Sequence, residues 1–433
     1  MNILIQNGRV IDPASGLDAV ADVAIAEGRV VGISANGQQL PAGFKPEQTI
    51  DAKGCIVAPG LVDAQVRLRE PGHEHEGMLD SELSAAVAGG VTSLVCPPDT
   101  DPVLDEPGLV EMLKFRAEKL QRARVFPLGA VTRNLQGEVL TEMSDLTDAG
   151  CVGFSQAEVP LENTQVLQRA MQYAATFDYT LWLRPQEIHL GKGVAASGPL
   201  ATRMGLSGVP VAAETIALHT IFALMRTTKA RVHLCRISSA EGVALVRAAK
   251  AEGLAVTADV SINSLHLCDQ DIGYFDSRAR VVPPLRQQRD RDALRAALAD
   301  GTLDVLVSDH TPVDLDGKTL PFAQAEPGAT GLELLLSLSL KWANDMGQSV
   351  VRALDVLTAQ PAKLLGKAES FGQLHVGGVA DVVVFDPDAQ WQVTPSDLRS
   401  QGKHTPFAFD MTGTALPGRV KATVMNGRVV FQA

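Results

Sequence analysis

The stretch GLVDAQVRLREPGHEHEG, residues 60–77, runs from an apolar strand-like segment into alternating polar residues. Residues two apart at a strand end project to the same side. Gln65 and Arg67 therefore stand where a His-x-His pair would chelate a metal, with Arg69 next along the same face. A guanidinium has no lone pair to donate, so this end offers hydrogen-bond donors and positive charge instead of ligands. Other apolar runs end in residues of mixed chemistry: Asp99, Gln156, Arg184, the pair Cys235 and Arg236, Asn263, and the pair Asp309 and His310. His73 and His75 lie in a glycine-flanked loop without a third strand-held ligand, a weak metal signal. His233 and Cys235 share a strand face, but such neighbours are about 6.5 Å apart along a strand, long for proton transfer. A histidine satisfied near the core and a small buried thiol are the plainer readings of the two. No Gly-x-Gly-x-x-Gly or Gly-x-Ser-x-Gly occurs where a dinucleotide or a nucleophilic serine would need it.

The elements that position these ends follow from periodicity. Eight near-continuous apolar runs, VDAQV (62–66), VTSLVC (91–96), RVFPLGAV (124–131), CVGFS (151–155), TLWLR (180–184), RVHLCRI (231–237), LAVTADV (254–260) and LDVLVSD (303–309), read as parallel strands covered on both faces. Helical stretches intervene around 79–89, 107–121, 163–177, 211–227, 239–252, 287–300 and 331–345. The helix near 239 opens with Ser238-Ser239-Ala240-Glu241, a capping-box pattern, ahead of a stripe of Val243, Val246 and Ala249. Eight strand-helix units over about 290 residues imply a TIM-type (β/α)8 barrel, whose working end is the C-terminal rim of its strands.

Both termini have a different grammar. Residues 1–54 are Val/Ile-rich segments broken by Asn-Gly, Glu-Gly and Lys-Gly, which read as hairpins of a small antiparallel sheet. GGVADVVVFDPDAQWQV and GRVKATVMNGRVVFQA repeat that pattern at the other end. Neither end has enough strands to be stable alone, so residues 1–54 plus 366–433 are expected to form one composite β domain, α/β barrel residues 55–365 the other.

Composition narrows the function classes. The chain has 433 residues, 45% hydrophobic and 20% charged, with a formal charge of -12 and its cations scattered. That excludes a concentrated basic face for nucleic acid. Five dispersed cysteines suggest buried thiols in a reducing compartment. With no leader pattern and no long apolar stretch, a cytoplasmic location and no membrane contact are expected.

APGLVDAQVRLREPG, AAVAGGVTSLVCPPDTDPVLD, GLSGVPVAAE, VHLCRISSAEG, VPPLR, VSDHTP and PGATGLELLL together resemble the dihydroorotases of the amidohydrolase superfamily over essentially the whole chain. The resemblance implies a metal-containing barrel with a composite β domain, and a metal-bound hydroxide that interconverts N-carbamoyl-aspartate and dihydroorotate. Carried over position by position, the family's metal ligands fall on Gln65, Arg67, Gln156, Arg184, Arg236 and Asp309, of which only Asp309 is kept. Arg69 matches an arginine that holds a substrate carboxylate. Asp99 and Val282 replace asparagines, Val313 replaces a histidine, and Ser261-Ile262-Asn263-Ser264 replaces Thr-Pro-His-His.

Four histidines and two carboxylates carry about -2 formal charge, whereas these six positions carry about +2. Each arginine at roughly 4 Å would repel a divalent ion by about 8 kcal/mol at an effective dielectric of about 20. No metal and no cofactor are therefore expected. The resemblance then implies a non-catalytic subunit in pyrimidine biosynthesis, homo-oligomeric in its own right, that supports assembly or activity of the aspartate carbamoyltransferase catalytic chain, with the loops 70–82 and 310–328 as candidate contacts. Two other readings stand beside it: a cyclic amidohydrolase with residual or altered activity, and a metal-free dicarboxylate-binding module using Arg69 and His310. For the rim arginines, the choices are an ion-pair cluster around Asp309, an anion site, or solvent-facing side chains.

Overall fold

The computed structural model describes residues 1–35 and 40–433. Its centre is a ring of eight parallel strands: Leu61–Asp63, Val91–Cys96, Arg124–Pro127 continued by Gly129–Ala130, Phe154–Ser155, Thr180–Leu183, Arg231–Leu234, Val256–Ser261 and Val305–Val307. Each pairs with the next. A parallel bridge between Val66 and His310 closes the ring. The apolar runs form strands here because both faces are covered; the second strand and the eighth are buried at every position. Val62, Val95, Leu128, Trp182, Val305 and Val307 fill the lower interior, making the barrel a packed core.

The intervening helices fall where the 3.6-residue period places them, among them Leu79–Ala88, Pro107–Leu120, Thr164–Thr176, Ala212–Thr228 and Ala240–Ala251. In the last of these, Ser239 is the cap and accepts from the Gly242 amide. Glu241 does not close a box; instead the Glu214 carboxylate takes the amides of Ser238 and Ser239. Val243, Val246 and Ala249 are buried as the stripe requires, each valine contributing about 1.5–3 kcal/mol. A helix at Met143–Ala149, which the periodicity did not reveal, fills the crossover between the third and fourth strands. Among the described residues no helix is long and apolar enough to cross a membrane.

Both termini build one eight-stranded sheet, as the sequence implies. Two details differ from the hairpin expectation. The sheet is mixed, since Gln48–Asp51 and Ile56–Pro59 run parallel to Ile3–Asp12. Asn7-Gly8 is a bulge inside that first strand, where Asn7 takes φ 64° and a side chain at Gly8 would strike Val57. Glu27-Gly28 and Asn426-Gly427 do turn hairpins. Because Ile56–Pro59 belongs to the sheet, the handover to the barrel lies at Gly60, a few residues beyond 54. After the strand Val382–Trp391, the chain also returns to the barrel: Glu82 accepts from Ser400 Oγ and the Gln401 amide, and Glu333 from the amides of Arg399 and Ser400.

Candidate functional site: an ion-paired barrel mouth

The residue that organises the rim is Glu158, two beyond the expected Gln156. The fourth strand ends at Ser155, and Ala157 takes φ 50°, a left-handed turn that breaks the strand alternation. Gln156 consequently turns aside, donating to Thr132 Oγ1 and the Leu135 carbonyl at 2.8 Å each. Glu158 enters the mouth in its place. Its Oε1 receives Arg67 Nη2 at 2.7 Å and Arg236 Nη2, and its Oε2 lies 2.6 Å from Arg184 Nε. Arg67 Nε also pairs with Asp99 at 2.8 Å, and Arg236 Nη1 with Asp309 at 3.1 Å.

Three arginines thus face three carboxylates, so the local formal charge is about zero, not the +2 counted from the six strand-end positions alone. The hub is Glu158, with Asp309 joined through Arg236. Burial opposes ionisation of Glu158, yet the guanidiniums, Arg184 foremost, hold its carboxyl well below the usual range. Burial pushes the Asp309 carboxyl up despite Arg236. Arg67 and Arg236 are held above the ordinary guanidinium value against their desolvation, by Asp99 and Glu158 respectively, and burial lowers Arg184.

The two residues expected to bind an anion are committed elsewhere. Arg69 pairs with Glu76 at 2.7 Å and donates to the Pro312 carbonyl. His310 is fully buried: Nε2 meets Glu82 at 2.7 Å while Nδ1 faces the Gly331 amide at 3.2 Å. It locks the eighth strand to the helix Leu79–Ala88. Gln65 is buried, and its backbone N–H donates to the Asp63 carboxylate at 3.2 Å; burial pushes that carboxyl up to about 7. Beside the cluster a cavity of about 540 Å³ remains, with Asn263, Arg280, Lys192 and Glu326 on its wall.

One layer deeper, His233 Nε2 lies 2.9 Å from Asp259 Oδ2, and its Nδ1 lies 2.8 Å from Thr257 Oγ1. With Cys235 these form a buried group whose donor atoms lie within 4.8 Å of one another. The sequence reading paired His233 with Cys235 and missed Asp259, because the carboxylate comes from the adjacent strand.

Four rim residues that are not glycine, Arg69, Ala157, Arg236 and Asp309, have positive φ of 67°, 50°, 57° and 52°. Such conformations cost about 1–2 kcal/mol each and concentrate where side chains are aimed into a site.

The profile of the dihydro-orotase-like family matches residues 54–242, and that of the amidohydrolase family residues 211–431. A dihydroorotase-like protein of Pseudomonas aeruginosa is 42% identical, with 100% of each chain covered. A dihydroorotase of a Geobacter species is 40% identical, again over 100% of each. Among solved structures, L-hydantoinase (dihydropyrimidinase) from Arthrobacter aurescens superposes with a TM-score of 0.85 at 27% identity, covering 99% of this chain and 96% of that one. The chain belongs to the dihydroorotase-like family of the amidohydrolases. The metal centre such a barrel implies does not fit the rim residues here. Arg67, Arg184 and Arg236 have no lone pair to donate, and the carboxylates that share the mouth with them, Glu158 and Asp309, are taken up in ion pairs.

Proposed function

We propose that this chain is a dihydroorotase-like protein that does not hydrolyse cyclic amides through a rim metal and instead serves as a structural subunit in pyrimidine biosynthesis. The observation that carries this reading is the convergence of Arg67, Arg184 and Arg236 on Glu158. An amidohydrolase needs a Lewis acid and an activated water there, and the lock replaces both. The partner, the aspartate carbamoyltransferase catalytic chain, follows from the family resemblance; a cytoplasmic location rests on the dispersed cysteines, and a homo-oligomeric state is part of the same reading. A barrel that keeps its packing and rim backbone while losing its donors suits that role. The test is twofold. Dihydroorotase turnover should stay at the uncatalysed rate, and light scattering of the chain mixed with the transferase at micromolar concentration should show a mixed complex. Clear turnover abolished by Asp309→Asn, or no complex, would sink the proposal.

A second reading, an amidohydrolase with residual or altered activity, is favoured by the relatives named dihydroorotase at 37–40% identity and by the His233, Cys235 and Asp259 group. It predicts turnover that survives Asp309→Asn and disappears in Asp259→Asn. Binding of a dicarboxylate without metal would use the open cavity at Arg280 and Asn263, and would show as saturable binding without turnover.

A further inference from the structure

The sixth and seventh strands place three donors of different softness side by side beneath the ion-paired mouth: an imidazole, a thiol and a carboxylate. His233 and Asp259 are 0% exposed and Cys235 is 3% exposed. Ligand atoms around a four-coordinate zinc are about 3.5 Å apart, so a group already within 4.8 Å needs only small side-chain adjustment. Outer partners already orient two of the three. Thr257 Oγ1 lies 2.8 Å from His233 Nδ1, and the Arg236 amide donates to Asp259 Oδ1 at 2.7 Å. Nε2 and Oδ2 face each other at 2.9 Å, in a hydrogen bond that a bound ion would replace, while hydroxyl and amide groups behind them set their direction.

We propose that His233, Cys235 and Asp259 form a buried structural site for one zinc-class divalent cation, separate from the rim positions. The charges favour it. A divalent ion with one thiolate and one carboxylate is formally neutral, which suits a wall that includes Val62, Ala64, Val305 and Val307. Thiolate and imidazole select zinc or cobalt over magnesium or calcium. On binding, the Cys235 thiol loses its proton to solvent and a sulfur–metal bond forms. His233 shifts its proton from Nε2 to Nδ1, where Thr257 accepts it, with no net change on the ring. The fourth position falls to one water. The three donors are buried beneath the ion-paired mouth, so the site braces two strands and performs no hydrolysis.

The test uses the full chain purified from zinc-replete culture, then stripped and titrated with Co2+ alone. Elemental analysis should give about one zinc per chain, and cobalt should produce a thiolate charge-transfer band. Cys235→Ala should remove the band and bring zinc to trace level, whereas Asp309→Asn should leave both intact. If Cys235→Ala does not fold, Asp259→Asn gives the same comparison. Trace zinc in the wild-type chain with no cobalt band, even after refolding with the metal, would overturn the proposal. So would zinc that persists in the cysteine variant or departs with Asp309. These readouts are independent of turnover and of any partner, so this site and the proposed role fail separately.

Discussion

The mouth of the barrel and the layer beneath it solve the same electrostatic problem in opposite ways. At the mouth, arginines meet carboxylates, and the group is neutral because every charge has a partner. Beneath it, an imidazole and one carboxylate are held by hydrogen bonds beside a buried thiol, and none of the three is paired with a guanidinium side chain. Cys235 and Arg236 are adjacent residues, yet one belongs to each layer. The comparison teaches that neighbouring residues of one strand end can serve a closed ion-pair cluster and a guanidinium-free donor group one layer apart. It also shows why the mouth is vulnerable: a buried pair adds little stability when intact, but removing one member strands the others.

Glu158→Gln should produce the largest effect, since it leaves three guanidiniums with two carboxylates. Breaking a buried pair costs about 3–5 kcal/mol, but Glu158 keeps 33% of its side-chain surface, so solvent screening reduces this to about 2–3 kcal/mol. Urea unfolding reads it directly, and a change below about 0.5 kcal/mol would mean the lock is not the organiser of the rim. Asp259→Asn tests the lower layer and should cost about 1–2 kcal/mol, because the His233 and Arg236 contacts lose a charged acceptor. Adding Arg184→Met to Glu158→Gln should recover about 1 kcal/mol, the signature of coupled partners; strictly additive losses would argue against a shared cluster. Asp309→Asn should be mildest, about 1 kcal/mol or less, since it holds a single arginine.

Two of the three mouth carboxylates, Glu158 and Asp309, should also respond to pH with opposite signs. Glu158 is depressed when folded, so its contribution is present above the unfolded value of about 4.3 and is lost as pH falls toward the folded one. The stability gap between wild type and Glu158→Gln should narrow on acidification below about pH 4.3. Asp309 is raised, so wild type should lose ground to Asp309→Asn as pH rises above about 3.9. Parallel slopes in urea titrations from about pH 3 to 7 would refute the assignment of the hub.

The strands and most helices were legible because burial on two faces leaves unbroken apolar runs, and burial on one leaves a 3.6-residue stripe. The short helix at Met143–Ala149 was not, because seven residues carry too little periodicity to register. At the site, the arginines at 67, 184 and 236 were legible as strand-end residues with no lone pair to donate. Glu158 stayed hidden because Gln156 and Glu158 share strand parity, and only the left-handed residue between them decides which one enters. His310 and Arg69 were legible as rim residues but not in direction. Their partners Glu82 and Glu76 come from the segment after the first strand, at a separation that no local pattern reveals.

One torsion angle thus acts as a selector. Glycine at position 157 would adopt the same bend with less strain and preserve the arrangement. Valine or isoleucine, crowded at that angle, would favour an extended backbone and rotate the acidic side chain outward. Arg184 would then lose its carboxylate while Arg67 and Arg236 kept Asp99 and Asp309, and a barrel that now neutralises itself would become an anion trap through a change that touches no charged residue.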